Sequence, residues 1–193
     1  MIRVLVVDDH PAVRAGLVAV LRSEPGLVPV AAVGAPDEAL TAAAQLHVDV
    51  ALVDYHLKES DGLMVCRRLK SLTEPPGVLV YSALAEKGLA IPAMIVGADA
   101  LVDKGAPTDV LFEAIRTVAR GAAAIPALAP ELMAATAARL DTADLPILGM
   151  LMDRTPPPEI ARVLRLEGGE LEGRLTQMLE RLKVRPAPVR ERR

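Results

Sequence analysis

IRVLVVDD, residues 2–9, is a run of apolar, largely β-branched residues closed by two carboxylates, and three further islands repeat its plan. VDVALVD at 48–54 ends on Asp54, VLVYS at 78–82 on Ser82, and ALVDK at 100–104 on Lys104. Runs of this kind read as buried parallel strands. Each polar residue then stands at a strand's C-terminal edge, where open α/β sheets bind their ligands. Asp8, Asp9 and Asp54 converging on that edge would repel one another unless a divalent cation sat between them. Mg2+ suits such a site, because it takes a few carboxylates together with water and phosphate oxygens. The four islands together describe a place for receiving, holding and sensing a phosphoryl group.

The rest of the composition is consistent with that reading. A chain of 193 residues is long enough for one full domain and a smaller one. It is 52% hydrophobic and 24% charged, ordinary for a globular protein, with aromatic residues at only 2%. A formal charge of -3 gives no global attraction to nucleic acid, so any such affinity would need a local basic patch. The single cysteine, Cys66, excludes an internal disulfide and fits a reducing cytoplasm. No apolar run is long enough for a membrane span and no signal peptide is evident, so a cytoplasmic protein is expected.

Residues 1–120 alternate between short apolar runs and amphipathic segments. Strands are expected at Ile2–Val7, Val28–Val33, Val48–Val53, Val78–Tyr81 and Ala100–Val102. Helices are expected near Pro11–Arg22, Asp37–Gln45, Gly62–Ser71, Lys87–Val96 and Asp109–Arg120. Such alternation means βαβ units and a parallel sheet. Pro11 suits a first helical turn, and Thr108 is the expected N-cap of the fifth helix. GAAAIPALAP, 121–130, reads as an Ala/Pro linker leading to a short helix at Glu131–Leu140. Residues 141–185 have helical periodicity without a strand pattern. In the basic tail from 186 to 193, prolines and charge favour disorder.

Asp54 is the expected nucleophile. A carboxylate can attack a phosphorylated donor and form an acyl phosphate, provided a cation and an ammonium screen the incoming charge. Asp8 and Asp9 would hold Mg2+, Lys104 would pair with Asp54 and then with a phosphoryl oxygen, and Ser82 would hydrogen-bond another. Singly, Asp8-Asp9 could be a surface turn and Lys104 a solvated strand end. Four matches in order, each at a strand end, outweigh those plainer readings.

LVVDDHPAVRAGL, DVALVDYHLKESDGL, VLVYSA and GADALVDKGA closely resemble the receiver domain of bacterial two-component response regulators, especially the LuxR/NarL type. The resemblance covers residues 1–120. It implies a flavodoxin-like five-stranded parallel sheet, phosphotransfer to Asp54 from a histidine kinase, and Mg2+ dependence, with the metal also held by the backbone carbonyl of His56. It further implies a signal carried by Ser82 and the face formed by the fourth helix, fifth strand and fifth helix. Two positions depart from the family pattern. An aromatic residue usually stands three positions before the lysine, where this chain has Leu101, a smaller lever without a hydroxyl. A proline usually stands four residues after the phosphoacceptor, where this chain has Lys58 beside Glu59.

EIARVLRLEGGELEGRLTQMLERLKV, residues 159–184, has the shape of a helix-turn-helix. Glu159–Leu164 would be the scaffold helix and Leu166–Gly168 the turn. Gly169–Leu182 would be the second helix, with Leu171, Leu175, Met178, Leu179 and Leu182 on its apolar face. Pro156, Pro157 and Pro158 fit the start of the scaffold helix, with Ile160, Ala161 and Leu164 packing beneath. From Leu140 to Val184 the chain resembles a LuxR-type DNA-binding domain. That likeness makes Glu170, Glu172, Arg174, Gln177 and Arg181 the candidate DNA-facing residues. Their chemistry fits DNA poorly. Between Asp141 and Leu182 the net charge is -3, and affinity for DNA comes largely from cations that neutralise phosphates. The helix that usually supplies the dimer contact is missing or reduced to the tail.

Two function classes follow. One is a phosphorylation-controlled transcription factor that binds DNA weakly or with a partner. The other is a receiver whose degenerate helix-turn-helix signals by contact with another protein. A dimer through the receiver fits either. An enzyme is not expected beyond the receiver's own aspartyl phosphorylation and dephosphorylation, because phospho-aspartyl hydrolases need a carboxylate where His56 stands. Cys66, Met133, Met150, Met152 and Met178 read as core filling. His47 reads as a helix-end residue favoured by the helix dipole, and His10 as a loop residue rather than a ligand.

Overall fold

The computed structural model describes residues 1–58, 60–83, 88–125 and 128–182. Five strands, β1 (Ile2–Val7), β2 (Leu27–Val33), β3 (Val50–Asp54), β4 (Gly77–Ser82) and β5 (Ala100–Asp103), pair in parallel in the order β2-β1-β3-β4-β5. The chain leaves β1 for the outer strand β2 and returns to β3 on the other side. The crevice between the C-terminal ends of β1 and β3 is therefore the sheet's topological switch point. Pro29 lies on the edge strand β2, and the register with β1 slips just there, between Val4 and Leu5. Proline has no N–H to give the ladder, and an edge strand tolerates the loss.

Five helices cover the sheet: α1 (Pro11–Ser23), α2 (Pro36–Gln45), α3 (Gly62–Lys70), α4 (Ala90–Ile95) and α5 (Thr108–Ala119). The two-residue period of the strands sorts the core into two layers. Val4, Val6, Leu52, Leu79 and Val102 pack with Leu17, Leu21, Leu111 and Ile115 of α1 and α5. Leu5, Val7, Val53, Val80 and Leu101 face the other way, with Leu63, Cys66 and Leu69 of α3 and Ile91 of α4.

Expected and observed elements agree to within a few residues, and the differences have local causes. Asp54 and Ser82 complete strands that were expected to stop one residue earlier. α4 begins at Ala90 rather than Lys87, which lies outside the described residues with 84–86. Thr108 is not the N-cap of α5. It is the first helical residue, after Pro107 in extended conformation, and no side chain caps that end. Asp61 does cap a helix, accepting the Leu63 N–H at 2.9 Å at the start of α3. The linker is not a plain spacer. The Ala124 N–H donates to the Asp99 carbonyl at 2.8 Å, and its own carbonyl accepts from Leu101 N–H at 3.2 Å, so the segment covers the open edge of β5. Residues 126–127 of the linker and 183–193, the expected disordered tail, lie outside the described residues.

Helices α6 (Pro130–Ala137), α7 (Leu145–Met152), α8 (Pro157–Leu164) and α9 (Glu170–Leu182) follow, with a 3-10 turn at Thr142–Asp144. Pro156 precedes α8, and Pro157 and Pro158 occupy its first turn, where N–H groups have no helical partner. Arg165 and Gly169 take left-handed conformations (φ 53° and 80°) that turn the chain from α8 into α9. Leu171, Leu175, Met178, Leu179 and Leu182 of α9 pack with Ile147, Leu148 and Ile160. This cluster continues into the α3–α4 layer of the sheet, so the C-terminal helices and the α/β unit share one hydrophobic core.

Candidate functional site

Asp8, Asp9 and Asp54 meet at the β1/β3 crevice, with ligand atoms of all three and of His10 within 4.8 Å of one another. Asp8 and Asp54 are buried, 1% and 4% exposed. The Lys104 ammonium enters from beyond β5 and lies 2.8 Å from Asp8 Oδ2 and 2.8 Å from Asp54 Oδ2. It stands between two carboxylates that would otherwise face each other unscreened. Burial pushes the Asp54 carboxyl above its ordinary value, while the hydrogen bond and charge of Lys104 pull it down. For Lys104 burial works downward, but the two carboxylates overcome it and hold the ammonium above its usual range.

The backbone around these side chains is pinned. The His10 N–H donates to Asp8 Oδ1 at 2.8 Å, and the His56 N–H to Asp54 Oδ1 at 3.2 Å. Asp8 thus has both oxygens engaged. Asp9 differs: its buried Oδ1 lies 2.7 Å from the His10 Nδ1 and has no hydrogen-bond partner among the described residues. An oxygen-rich donor set with an under-satisfied carboxylate oxygen fits a hard divalent cation. Ser82 is fully buried at the end of β4, and Leu101 is buried on the neighbouring strand β5.

Three residues shape the site without having been singled out in the sequence. Arg14 reaches back from α1 to donate to the Asp8 carbonyl at 2.6 Å, bracing the β1–α1 loop. Tyr81, the partner of Asp54 in the β3–β4 register, places its ring 5.6 Å from the Lys104 Nζ. That geometry is a cation–π contact. Gly62 permits α3 to start hard against β3, because a Cβ there would lie 2.0 Å from the Asp54 carbonyl oxygen. A glycine after a strand end is common enough that its spacing alone carries little signal. An arginine on α1 gives none.

Other expectations resolve plainly. Cys66 is fully buried and its thiol is pushed far up by burial, so it is core. Met178 is buried, and Met133, Met150 and Met152 are partly so. His47 lies just past the end of α2, as expected, and also pairs with Asp49 at 3.2 Å. His10 is a loop residue with an exposed ring, yet it belongs to the acidic cluster. Lys58 is exposed, and Glu59 lies outside the described residues.

The charged side chains on the outer face of α9 have partners inside the chain. Arg174 pairs with Glu170 at 3.0 Å and Asp144 at 3.4 Å, and Arg181 with Asp141 at 2.5 Å. Glu172 pairs with Arg67 of α3, which also donates to Thr176 Oγ1 at 2.8 Å. Gln177 is exposed. The five candidate DNA-facing residues therefore share a helix, but one of them, Glu172, is turned toward α3.

The response regulator receiver domain model matches residues 4–116. The transcriptional activator protein ExaE of Pseudomonas putida is 30% identical over 192 residues, covering 94% of this chain and 90% of that protein. A two-component response regulator of the LuxR family from Aurantimonas sp. SI85-9A1 superposes with a TM-score of 0.60 at 25% identity. It covers 68% of this chain and 92% of its own. The response regulator ChrA of a heme-sensing two-component system has a TM-score of 0.51 at 26% identity and extends through the output region, covering 91% of this chain and 87% of its own. The chain belongs to the response regulator receiver family, and its relatives are of the LuxR/NarL type.

Proposed function

We propose that residues 1–120 receive a phosphoryl group on Asp54 from a histidine kinase and so control an output module at 141–185, joined by a connecting segment at 121–140, that acts in transcription. The observation that carries this reading is the buried Asp8–Lys104–Asp54 bridge beside the under-satisfied Asp9, at the switch point of the sheet. An Asp54 oxygen attacks the phosphorus of a phosphohistidine. The new O–P bond forms as the P–N bond breaks, and the imidazole leaves with a proton from solvent. Lys104 follows the charge onto a phosphoryl oxygen, and the Ser82 hydroxyl donates to another. A bound Mg2+ would be held by Asp8, Asp9, Asp54 and the His56 carbonyl and would supply charge neutralisation for that transfer. The chain's chemistry ends with that acyl phosphate and its hydrolysis, in the cytoplasm. Labelling by a small phosphodonor tests the reading. Label should require Mg2+ and vanish in Asp54→Asn, and undiminished labelling of that variant would refute it.

A second reading, output through a protein contact, draws support from α9. Its arginines are occupied by acids of its own module, and Glu172 by Arg67. Few cations remain there to displace counterions from DNA. Retention on a pool of genomic DNA fragments, with and without beryllofluoride and Mg2+, separates the two. An enriched motif supports transcription, and no retention even at low salt supports the protein contact.

A further inference from the structure

The segment from Asp54 into α3 touches both the phosphoacceptor and α9. Tyr55 follows Asp54 directly, and its ring is buried in the shared core, 6% exposed. A void of about 40 Å³ beside it is lined by Tyr55, Leu63 and Pro92 on the receiver side and by Thr176 and Leu179 of α9. The ring also meets the His56 imidazole edge-on, with centroids 4.6 Å apart, and the His56 N–H holds Asp54 Oδ1. That hydrogen bond ties the Tyr55–His56 peptide to the carboxylate, so a phosphoryl group placed on Asp54 changes the charge and position of the acceptor that holds the peptide.

The same peptide is coupled rigidly to α3. The Gly62 N–H donates to the Tyr55 carbonyl at 2.9 Å, and Gly62 has no room for a Cβ against Asp54 and Tyr55. One turn along α3, Arg67 holds Glu172 and Thr176. The guanidinium of Arg67, which grips α9, and the ring of Tyr55, which faces α9 across the void, thus both hang from the strand end that carries the phosphoacceptor. Leu101, by contrast, is a buried aliphatic side chain with no polar group to follow a charge.

We propose that Tyr55 is the positioning residue that carries the state of Asp54 to α9, through the β3–α3 connection and not through Leu101. The void beside its ring gives the side chain somewhere to move, and tight packing elsewhere makes the displacement felt. This rests on Asp54 being the phosphoacceptor.

The chain has two tyrosines, Tyr55 and Tyr81, and no tryptophan. Protein labelled with 3-fluorotyrosine therefore gives two fluorine resonances, assigned with Tyr81→Phe. Beryllofluoride with Mg2+ should move both, Tyr81 because it lies against Lys104 and Tyr55 because it is the relay. Hydrogen exchange then reads α9, whose amides should exchange at least about fivefold faster on loading. In Tyr55→Leu that acceleration should be lost while phosphodonor labelling of Asp54 persists, and in Leu101→Val it should remain. If Tyr81 responds but α9 responds as fully in Tyr55→Leu as in the wild type, the relay is wrong and the phosphoacceptor stands. Loss of the response in Leu101→Val alone would return the role to that position. If neither resonance moves and no label is taken up, the phosphoacceptor assignment fails, and the relay falls with it.

Discussion

Asp8 and Asp54 stand at the ends of strands held on both sides by parallel partners, and one ammonium satisfies both. Glu170 and Glu172 stand on a helix with much of their side chains exposed and pair directly with Arg174 and Arg67. Both regions contain acids matched by bases, yet the physical weight of the two arrangements differs. Buried charges interact through a low dielectric and leave a large penalty when one partner is removed. Exposed pairs are screened and typically contribute less than about 1 kcal/mol. The strand ends are thus a site with fixed geometry, and the α9 face is a surface whose charges bias how it docks.

Four perturbations probe that contrast, from the largest effect to the smallest. Asp54→Asn should reduce Mg2+-dependent labelling to background while the far-ultraviolet spectrum stays native. Retained labelling would mean that the strand-end geometry does not select the nucleophile. Met178→Ala, a fully buried side chain of the shared core, should cost about 2–5 kcal/mol in urea denaturation. The two regions should unfold in a single transition. Two transitions would break the picture of one core and make the output helices an independent unit.

Glu172→Lys should be milder. It sets a second cation beside Arg67, loosens α9 from α3, and removes an acid from the candidate DNA face. Nonspecific DNA retention at low salt should rise, with a steeper salt dependence, at a stability cost of up to about 1 kcal/mol. No change in either would mean that this face meets neither the receiver nor DNA in solution. Gly169→Lys is a poorer probe, because Gly169 sits at φ 80°, where a side chain adds strain.

The smallest effect belongs to Asp141. Its hydrogen bond with Arg181 holds its carboxyl below the ordinary value of 3.8. A depressed carboxyl stabilises the fold fully above its ordinary value and loses that contribution as pH falls through the folded one. Asp141→Asn should therefore lower the thermal midpoint slightly at neutral pH, and the deficit should shrink as pH falls below the ordinary carboxylate value. A deficit that persists in acid would assign the role of Asp141 to something other than its charge.

Much of the receiver was legible because its signals are local. A buried strand needs a continuous apolar run, and its final residue must face the sheet edge, so Asp54, Ser82 and Lys104 could be placed by counting. The misplaced cap at Thr108 shows where local rules stop, since Pro107 ahead of it already sets the entry to α5. The bracing by Arg14, the ring of Tyr81 under Lys104 and the pairing of Arg67 with Glu172 were not legible. Each joins residues far apart in the chain, and no spacing rule connects them.

By itself, the order of residues determined five strands, their polar end residues and the helical character of the C-terminal third. Those features follow from hydrophobic period and backbone preference, which act over a few residues. Only the tertiary structure decided that α9 lies against α3 and α4, that its arginines are taken up by acids of its own module, and that Tyr55 lines a void with it. Packing and ion pairing depend on three-dimensional proximity, which a linear pattern does not contain.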